Sequence, residues 1–400
     1  MTKRQWRSCT ALLVAGIAIG LVGERALIGM NRATSGGEVQ PHSASAGGYL
    51  SALDFAGVDP SGKTDSTAGM QAALDAAAAA GQMLHVPAGT YLVTGLTLPR
   101  QNLRIACATA AGTTFRLNDN ANTYIMASYG YVHNTAVSDP AVNIENCGFD
   151  GNHANQTGGT ALIVLRTYRS VIQNSRVRDG FLHGILLTAT SANGTPETNN
   201  QAENRLLFNS IENNNGAGIK FSDQGYNQIS DDSIIQNAIQ RNGLPSNEYC
   251  NIDMDRTAGI RIVSNQLYAS PNCDVNALGA GSFVLALNDI DGGFITASGK
   301  CVNQVTVSAG GYGTVVITGN QIRTNTASLG SAKGWNMLNL IENAAGSGGF
   351  AVTGNVFYSP ELRVNAIAYD GTQAKSIPFA DANAFSANTP APTSSAQPCR

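Results

Sequence analysis

Short runs of alternating apolar and polar residues, each closing on an asparagine, recur along most of the chain. The unit is a short strand, an Asn, a gap of one or two residues and an apolar residue. It appears at 144–149 (Ile-Glu-Asn-Cys-Gly-Phe), 172–177, 207–211, 262–267, 317–322 and 352–357, with a weaker copy ending at Ile234. The apolar ends fall 28 residues apart from Phe149 to Val177, 34 from Val177 to Ile211 and 35 from Ile322 to Phe357. Strands of period two that return every 20–50 residues are the signature of a solenoid. Strands with little helix, glycine at corners and asparagine at turns predict an all-β chain wound as a parallel β-helix. Asparagine tolerates the left-handed backbone of a corner, and stacked amides can bond coil to coil. A β-propeller requires four antiparallel strands per repeat and blade signatures such as Trp-Asp. Trp6 and Trp335 are the only tryptophans, which argues against it.

Residues 53–99 read differently. Asp65 or Ser66 caps a helix, the Ala-rich run from Met70 to Ala80 propagates it, and Gly81 stops it. Two short strands follow around Pro87-Ala88-Gly89. The helix is expected to cap the open apolar end of the solenoid. The β-helix is expected to span residues 49–383, followed by a loosely held tail, 384–400, rich in Ala, Ser, Pro and Thr.

At the N-terminus, Lys3, Arg4 and Arg7 precede a continuous apolar run from Cys9 to Gly23, ended by Glu24 and Arg25. This is the form of a secretory signal, taken as residues 1–30 and either cleaved or kept as a signal-anchor. Residues 31–48, rich in Gly, Ser and Ala, form a linker. The expected location is periplasmic or extracellular, with any membrane attachment confined to the N-terminal segment. An exported chain permits disulfides. The seven cysteines contain no C-x-x-C pair, and Cys107 and Cys147 fall where neighbouring coils would stack. Charged residues are only 13% of the chain, so amides and hydroxyls must solvate the surface. Residues 1–48 carry five basic and two acidic side chains, so the remainder has a net charge of −6 rather than −3. No basic run lies outside the N-terminus, which excludes a nucleic-acid partner.

The segment Leu53-Asp54-Phe55-Ala56-Gly57-Val58-Asp59-Pro60-Ser61-Gly62-Lys63-Thr64-Asp65-Ser66-Thr67, followed by Gln71-Ala72-Ala73-Leu74 and Val86-Pro87-Ala88-Gly89-Thr90-Tyr91, resembles the opening segment of the pectate-lyase-like superfamily. Rhamnogalacturonases, phage tailspikes and mannuronan epimerases belong to that group. Phe149-Asp150-Gly151-Asn152 is similar to a segment common early in these helices. The resemblance implies a right-handed parallel β-helix acting on a polysaccharide, and it leaves the reaction open. The motifs of the family's best-marked active sites are missing. Asn251-Ile252-Asp253 has no His after it, Asp231-Asp232 lies before it, and His183 lacks the Asp-Pro that precedes His in epimerases.

Stacking the coils by hand gives a candidate site. The strands starting at Ala161, Gly184, Gly218 and Asn251 align so that Leu162/Ile185/Ile219/Ile252 and Val164/Leu187/Phe221/Met254 point inward. The outward columns then bring Lys220, Asp223, Asp253, Asp255 and Arg256 onto one patch of two coils, with His183 one coil away as a candidate base. Two chemistries fit. In a uronate lyase, which the mixed cations slightly favour, Lys220 or Arg256 neutralises the carboxylate or takes the proton. Asp223, Asp253 and Asp255 would then supply the hard oxygens of a candidate Ca²⁺ site. In an inverting hydrolase, Asp253 and Asp255, roughly 6.6 Å apart along one strand, act as acid and base. An epimerase and a non-catalytic glycan-binding helix remain alternatives. Asp150, Asp179, Glu203 and Asp231-Asp232 read as turn residues, and residues 190–204 as a polar loop walling a cleft.

Overall fold

The computed structural model describes residues 48–226, 228–292, 303–309, 313–324, 335–341, 349–359, 364–370 and 382–385. Residues 1–47, where a signal and a linker are expected, together with Cys301, Cys399 and the residues beyond Phe385, lie outside the described residues.

Three long sheets, of 11, 12 and 10 strands, run side by side, and every pairing within them is parallel. One coil shows the path. Val171–Gln173 lies in sheet I, Arg176–Arg178 in sheet II and His183–Thr188 in sheet III. The short strand Gln201–Ala202 follows, and Arg205–Leu207 returns to sheet I beside Val171–Gln173. Parallel strands joined this way wind right-handed, so the chain forms a right-handed parallel β-helix. The last described strand, Ala384–Phe385, pairs with Val356–Tyr358. The helix therefore extends two residues into the segment expected to be a loose tail.

Alternation places one apolar residue per strand on the axis. In sheet I the inward column is Leu84, Ile105, Ile144, Ile172, Leu206, Ile234, Ile262, Leu285, Ile317 and Val352, all buried. In sheet II it includes Tyr91, Phe115 and Phe149, whose rings lie 6.0 and 5.7 Å apart between successive coils. Each such side chain contributes about 1.5–3 kcal/mol by burial. The register transmits this from coil to coil, because a one-residue slip would turn a whole strand's apolar set to solvent.

Helix α1 (Thr67–Ala80) starts three residues before the Ala-rich run and ends at Gly81, which adopts φ 63°. It buries Met70, Ala73, Leu74, Ala77 and Ala78 on one face. That face lies against the first strands, Tyr49–Ser51, Met83–Val86 and Leu96–Leu98. Asp65 Oδ1 accepts the Thr67 N–H at 2.8 Å, so Asp65 rather than Ser66 satisfies the free amide of the first turn.

The corner between sheets I and II is built from two adjacent columns that the sequence pattern merges. The first is left-handed: Asn146, Asn174, Phe208, Gln236, Ser264 and Leu287 all have φ between 50° and 59°, and Gly319 and Gly354 continue it. The second column points inward and carries the hydrogen bonds. It runs Cys147, Ser175, Asn209, Asn237, Asn265, Asn288, Asn320, Asn355 and Asn383. Each amide oxygen accepts the backbone N–H and, from Asn237 onward, also the side-chain Nδ2 of the Asn one coil before, at 2.9–3.1 Å. Each Nδ2 from Asn209 to Asn383 also donates to a carbonyl of the preceding coil, as Asn265 does to Ile234 O at 2.9 Å. The Cys107–Cys147 disulfide joins consecutive coils where this column begins. A second disulfide, Cys250–Cys273, spans 23 residues near the corner between sheets II and III.

Two shorter ladders occupy the other corners. Asn214, Asn242, Asn251, Asp274 and Gln304 link up between sheets II and III. Between sheets III and I, Asn204 takes the Ser170 N–H and gives its own N–H and Nδ2 to Asp232 Oδ1, while Gln201 Nε2 donates to Asp232 Oδ2. Burial pushes Asp232 up to about 8 and Asp274 up to about 7.

Two expectations follow. Asn265→Ala strips partners from Asn237, Ile234 O and Asn288, each buried, and an unsatisfied buried group costs about 1–3 kcal/mol. Urea unfolding of this variant should show a loss of about 3 kcal/mol or more, with an unchanged slope. Asp232 binds its proton more tightly folded than unfolded. It therefore destabilises the fold progressively as pH rises from about 4 toward 8. Asp232→Asn keeps the acceptor and offers a donor to Gln201 Oε1, which is buried without a partner. Thermal unfolding should show this variant more stable than the parent at pH 8.5, with the gap closing toward pH 4.

Candidate functional site

Sheet III carries the residues singled out from the sequence. Its strands Ile219–Ser222 and Ile252–Asp255 pair Lys220 with Asp253 and Ser222 with Asp255. Ile219, Phe221, Ile252 and Met254 are fully buried in the core, so Lys220, Asp253 and Asp255 point outward. Lys220 Nζ donates to Asp253 Oδ1 at 2.8 Å, and the two side chains are 20% and 10% exposed. The pair is thus lodged in the surface rather than swept by solvent. Asp255 is half-buried one outward step further along the strand. Arg256 follows with φ 46°, exposed, its side chain lying over two glycines of adjacent coils. A Cβ on Gly225 would sit 2.8 Å from its Nη1, and one on Gly279 3.2 Å from its Cγ, so both glycines make room for the arginine.

Asp223 does not join this patch. It is fully buried, and its Oδ1 accepts the Gln228 N–H at 2.6 Å while Tyr226 N–H bonds its carbonyl. It shapes the turn that follows the strand. The correction has a local cause: Lys220 and Ser222 take the outward steps, so Asp223, the residue after Ser222, falls on the inward step just where the strand ends. His183 is also displaced from the role of base. It is buried, its Nδ1 accepts the Ala217 N–H at 3.0 Å, and its ring meets the edge of Tyr249 at 4.8 Å. Burial, aided by the Lys220 charge, pushes its pKa down to about 3. The neutral ring therefore carries its proton on Nε2 and can donate, but has no free basic nitrogen.

The first coil of the stack is shifted by one residue. Ile163 pairs with Ile185 and Leu165 with Leu187, in place of Leu162 and Val164. All five residues of Ala161–Leu165 are buried, because the outer face of this strand is covered too. Tyr131, Ala127, Ala161 and Val164 form a small second core there, with Tyr124, Val132 and Leu186 against it. Apolar residues at both parities left no alternation to fix the register. Arg166 accordingly lies inside, with Nη1 donating to Gly130 O and Thr135 O at 3.0 and 2.7 Å.

Two loops make that cover. One contains α2 (Tyr129–Val132), and the other runs through residues 190–200. They are stitched by Ala192 N–H to Tyr131 O and Thr198 N–H to Ala136 O. The polar loop expected to wall a cleft instead packs on its neighbour. Beneath them Glu197 Oε2 lies 3.7 Å from Arg166 Nε, both side chains wholly buried. Burial pushes Glu197 up to about 8 and raises Asp139 as well. Nothing in the spacing of the sequence foretold this cluster. Of the other acidic residues set aside as turn formers, Asp232 is instead a buried rung of the ladder between sheets III and I. Asp179, Glu203 and Asp231 sit at left-handed corners, and Asp150 pairs with Arg178 at 2.9 Å.

A Ca²⁺ ion takes six to eight oxygens from several converging groups. Among the described residues no three His, Cys, Asp or Glu side chains converge for a metal. With Asp223 turned into its own turn, the Asp223–Asp253–Asp255 set does not fit the ion.

No family model matches the chain, and no curated protein matches it in sequence. Solved structures do match in shape. The chain is similar to PfbA, a surface adhesin of Streptococcus pneumoniae, at TM-score 0.54 and 14% identity, covering 84% of this chain and 91% of that one. It is similar to the Dettilon tailspike protein at 0.53 and 15%, covering 86% and 68%. The pre-mature bacteriophage phi29 gene product 12 follows at 0.51 and 12%, covering 80% and 52%. What these structures share with the chain is the fold, a right-handed parallel β-helix. Within this parallel β-helix, the Lys220–Asp253 pair and Asp255 are the sequence-derived candidates that the structure brings together.

The state of His183 is directly testable. Nitrogen NMR of labelled protein should show one neutral imidazole, protonated on Nε2, with no titration between pH 8 and pH 4. A midpoint near 6.5 would restore His183 as a candidate base.

Proposed function

We propose that the chain is a carbohydrate-active enzyme working outside the cytoplasm, which cleaves glycosidic bonds of a polysaccharide at the outward face of sheet III. The observation that carries the reading is the Lys220–Asp253 pair with Asp255 beside it. In a surface so poor in charge, three ionisable groups are held on neighbouring outward positions of rigid strands. The resemblance of the opening segment and the shared fold support a glycan as partner.

Among the described residues no Ca²⁺ cage forms around the patch. Two carboxylates remain, and they suit hydrolysis. Lys220 Nζ bonds Asp253 Oδ1 and fixes the carboxylate in place, and Asp253 is the base that takes a proton from water. Asp255 gives its proton to the departing glycosidic oxygen, and water's oxygen bonds to the anomeric carbon as the old C–O bond breaks. A uronate lyase is the second reading, favoured by Lys220, whose ammonium would neutralise a substrate carboxylate.

The full chain should release reducing ends from one member of a panel of polysaccharides. Without ultraviolet absorbance from an unsaturated uronate, the reaction is hydrolysis; with it, elimination. Asp253→Asn should lower the rate by roughly 10²-fold or more and leave the melting temperature nearly unchanged. Lys220→Met should cost as much in a lyase and less in a hydrolase, whereas Asp150→Asn should retain most activity. Full activity in Asp253→Asn defeats the assignment.

A further inference from the structure

A cleft of about 630 Å³ opens at the capped end of the helix, between α1 and the loop of α2. It is separate from the sheet III patch and shares no residue with it. One wall is the solvent face of α1, with Gln71, Asp75 and Ala79 at successive turns. The other is Tyr129 and His133, whose rings are packed with centroids 4.1 Å apart. Arg100 and Thr97 line the floor.

These groups are held in place. Gln71 is clamped to the chain by Thr97, giving Nε2 to its carbonyl at 2.8 Å and taking its N–H on Oε1 at 2.9 Å. The same Nε2 reaches Asp75 Oδ1 at 3.0 Å. Arg100 Nε lies 4.0 Å from Asp139 Oδ1, an oxygen that is buried and has no hydrogen bond. The Arg100 side chain is 49% exposed, so it is open to meet a ligand. The charge around Asp139 is lopsided. Arg100, Arg166 and His133 surround it, and Glu197 is the other acid nearby. Burial raises both acids above their usual range. A rigid aromatic wall beside a forked cation and a fixed carboxylate–amide pair matches three features of one ligand. The wall takes the apolar face of a ring, the guanidinium takes a planar carboxylate, and Asp75 with Gln71 takes hydroxyls.

We propose that this cleft is a second binding site, for a carboxylated pyranose. It holds an acidic sugar against Tyr129, with its carboxylate on Arg100 and its hydroxyls toward Asp75 and Gln71. The site stands apart from the bond-cleaving reading and would anchor an acidic glycan whether or not the chain cleaves it.

The test uses the full chain carrying Asp253→Asn, so that no probe is consumed. Calorimetry at low salt compares a hexuronate oligomer, N-acetylneuraminic acid and a neutral oligosaccharide of matched length. At least one acidic probe should bind, and the neutral one should bind at least tenfold more weakly. Preference between the two acids identifies the sugar. Arg100→Gln should weaken the acidic probe tenfold or more, and raised salt should do the same in part. Tyr129→Leu, which leaves every charge in place, should also weaken it. Should Lys220 bind a uronate as well, Arg100→Gln removes one of two classes of site and Lys220→Met the other. Equal affinity for the neutral probe, unchanged binding in both Arg100→Gln and Tyr129→Leu, or no binding to either acid overturns the proposal. Unfolding temperatures of each variant distinguish a lost contact from a lost fold.

Discussion

The structure rests on hydrogen bonds that run parallel to the helix axis. Backbone pairing supplies them within the sheets, but at each corner the chain turns away from its neighbours and leaves buried amides exposed to nothing. The asparagine ladder answers that need at the corner between sheets I and II. From Asn209 to Asn383 one side chain per coil takes the N–H of the coil before, from Asn237 onward its side-chain amide as well, and gives its own amide back to a carbonyl. A buried N–H without a partner would cost more than most single contacts supply. The ladder also holds bulky residues in backbone states they ordinarily avoid. Phe208 and Leu287 both sit at φ 57° and expose half or more of their surface. Such strain persists where the surroundings over-determine it.

This regularity governs where chemistry can be placed. Positions on a parallel strand are fixed by their neighbours above and below, so Lys220 and Asp253 meet because their strands are in register. Side chains one residue past a strand end escape that control. Asp223 turns into its own loop and Asp255, still within the strand, does not. The loops between sheets III and I are the freest part of the coil. In the early coils they have folded over the outer face and enclosed Arg166 with Glu197.

Much of the fold could be read from the chain because the inward columns alternate cleanly. Ile185, Ile219 and Ile252 are flanked by different partners outside, and the three coils they mark stack as their pattern indicates. Ala161–Leu165 defeats the same reading, since a strand covered on both faces shows no alternation. The Asn pattern was visible, but Asn146 and Asn174 hold the left-handed column while Asn209 and Asn265 hold the ladder. Spacing alone cannot separate adjacent positions that both favour asparagine for different reasons. The candidate site was legible only as far as strand register carries. Burial of His183 depends on Tyr249, more than 60 residues on, and the α1–α2 cleft on loops with no periodicity.

The amide ladder also makes length a discrete quantity. Asn209 and Asn237 are separated by 28 residues and by a single rung. A whole coil could be lost or duplicated between equivalent rungs, and every donor would find an acceptor again. A gain or loss of one residue inside a strand has no such remedy, whereas a loop such as 190–200, which precedes the rungs at Gln201 and Asn204, absorbs it without touching one. Variation among chains of this build should therefore come in two sizes, loop residues and entire coils, with little between.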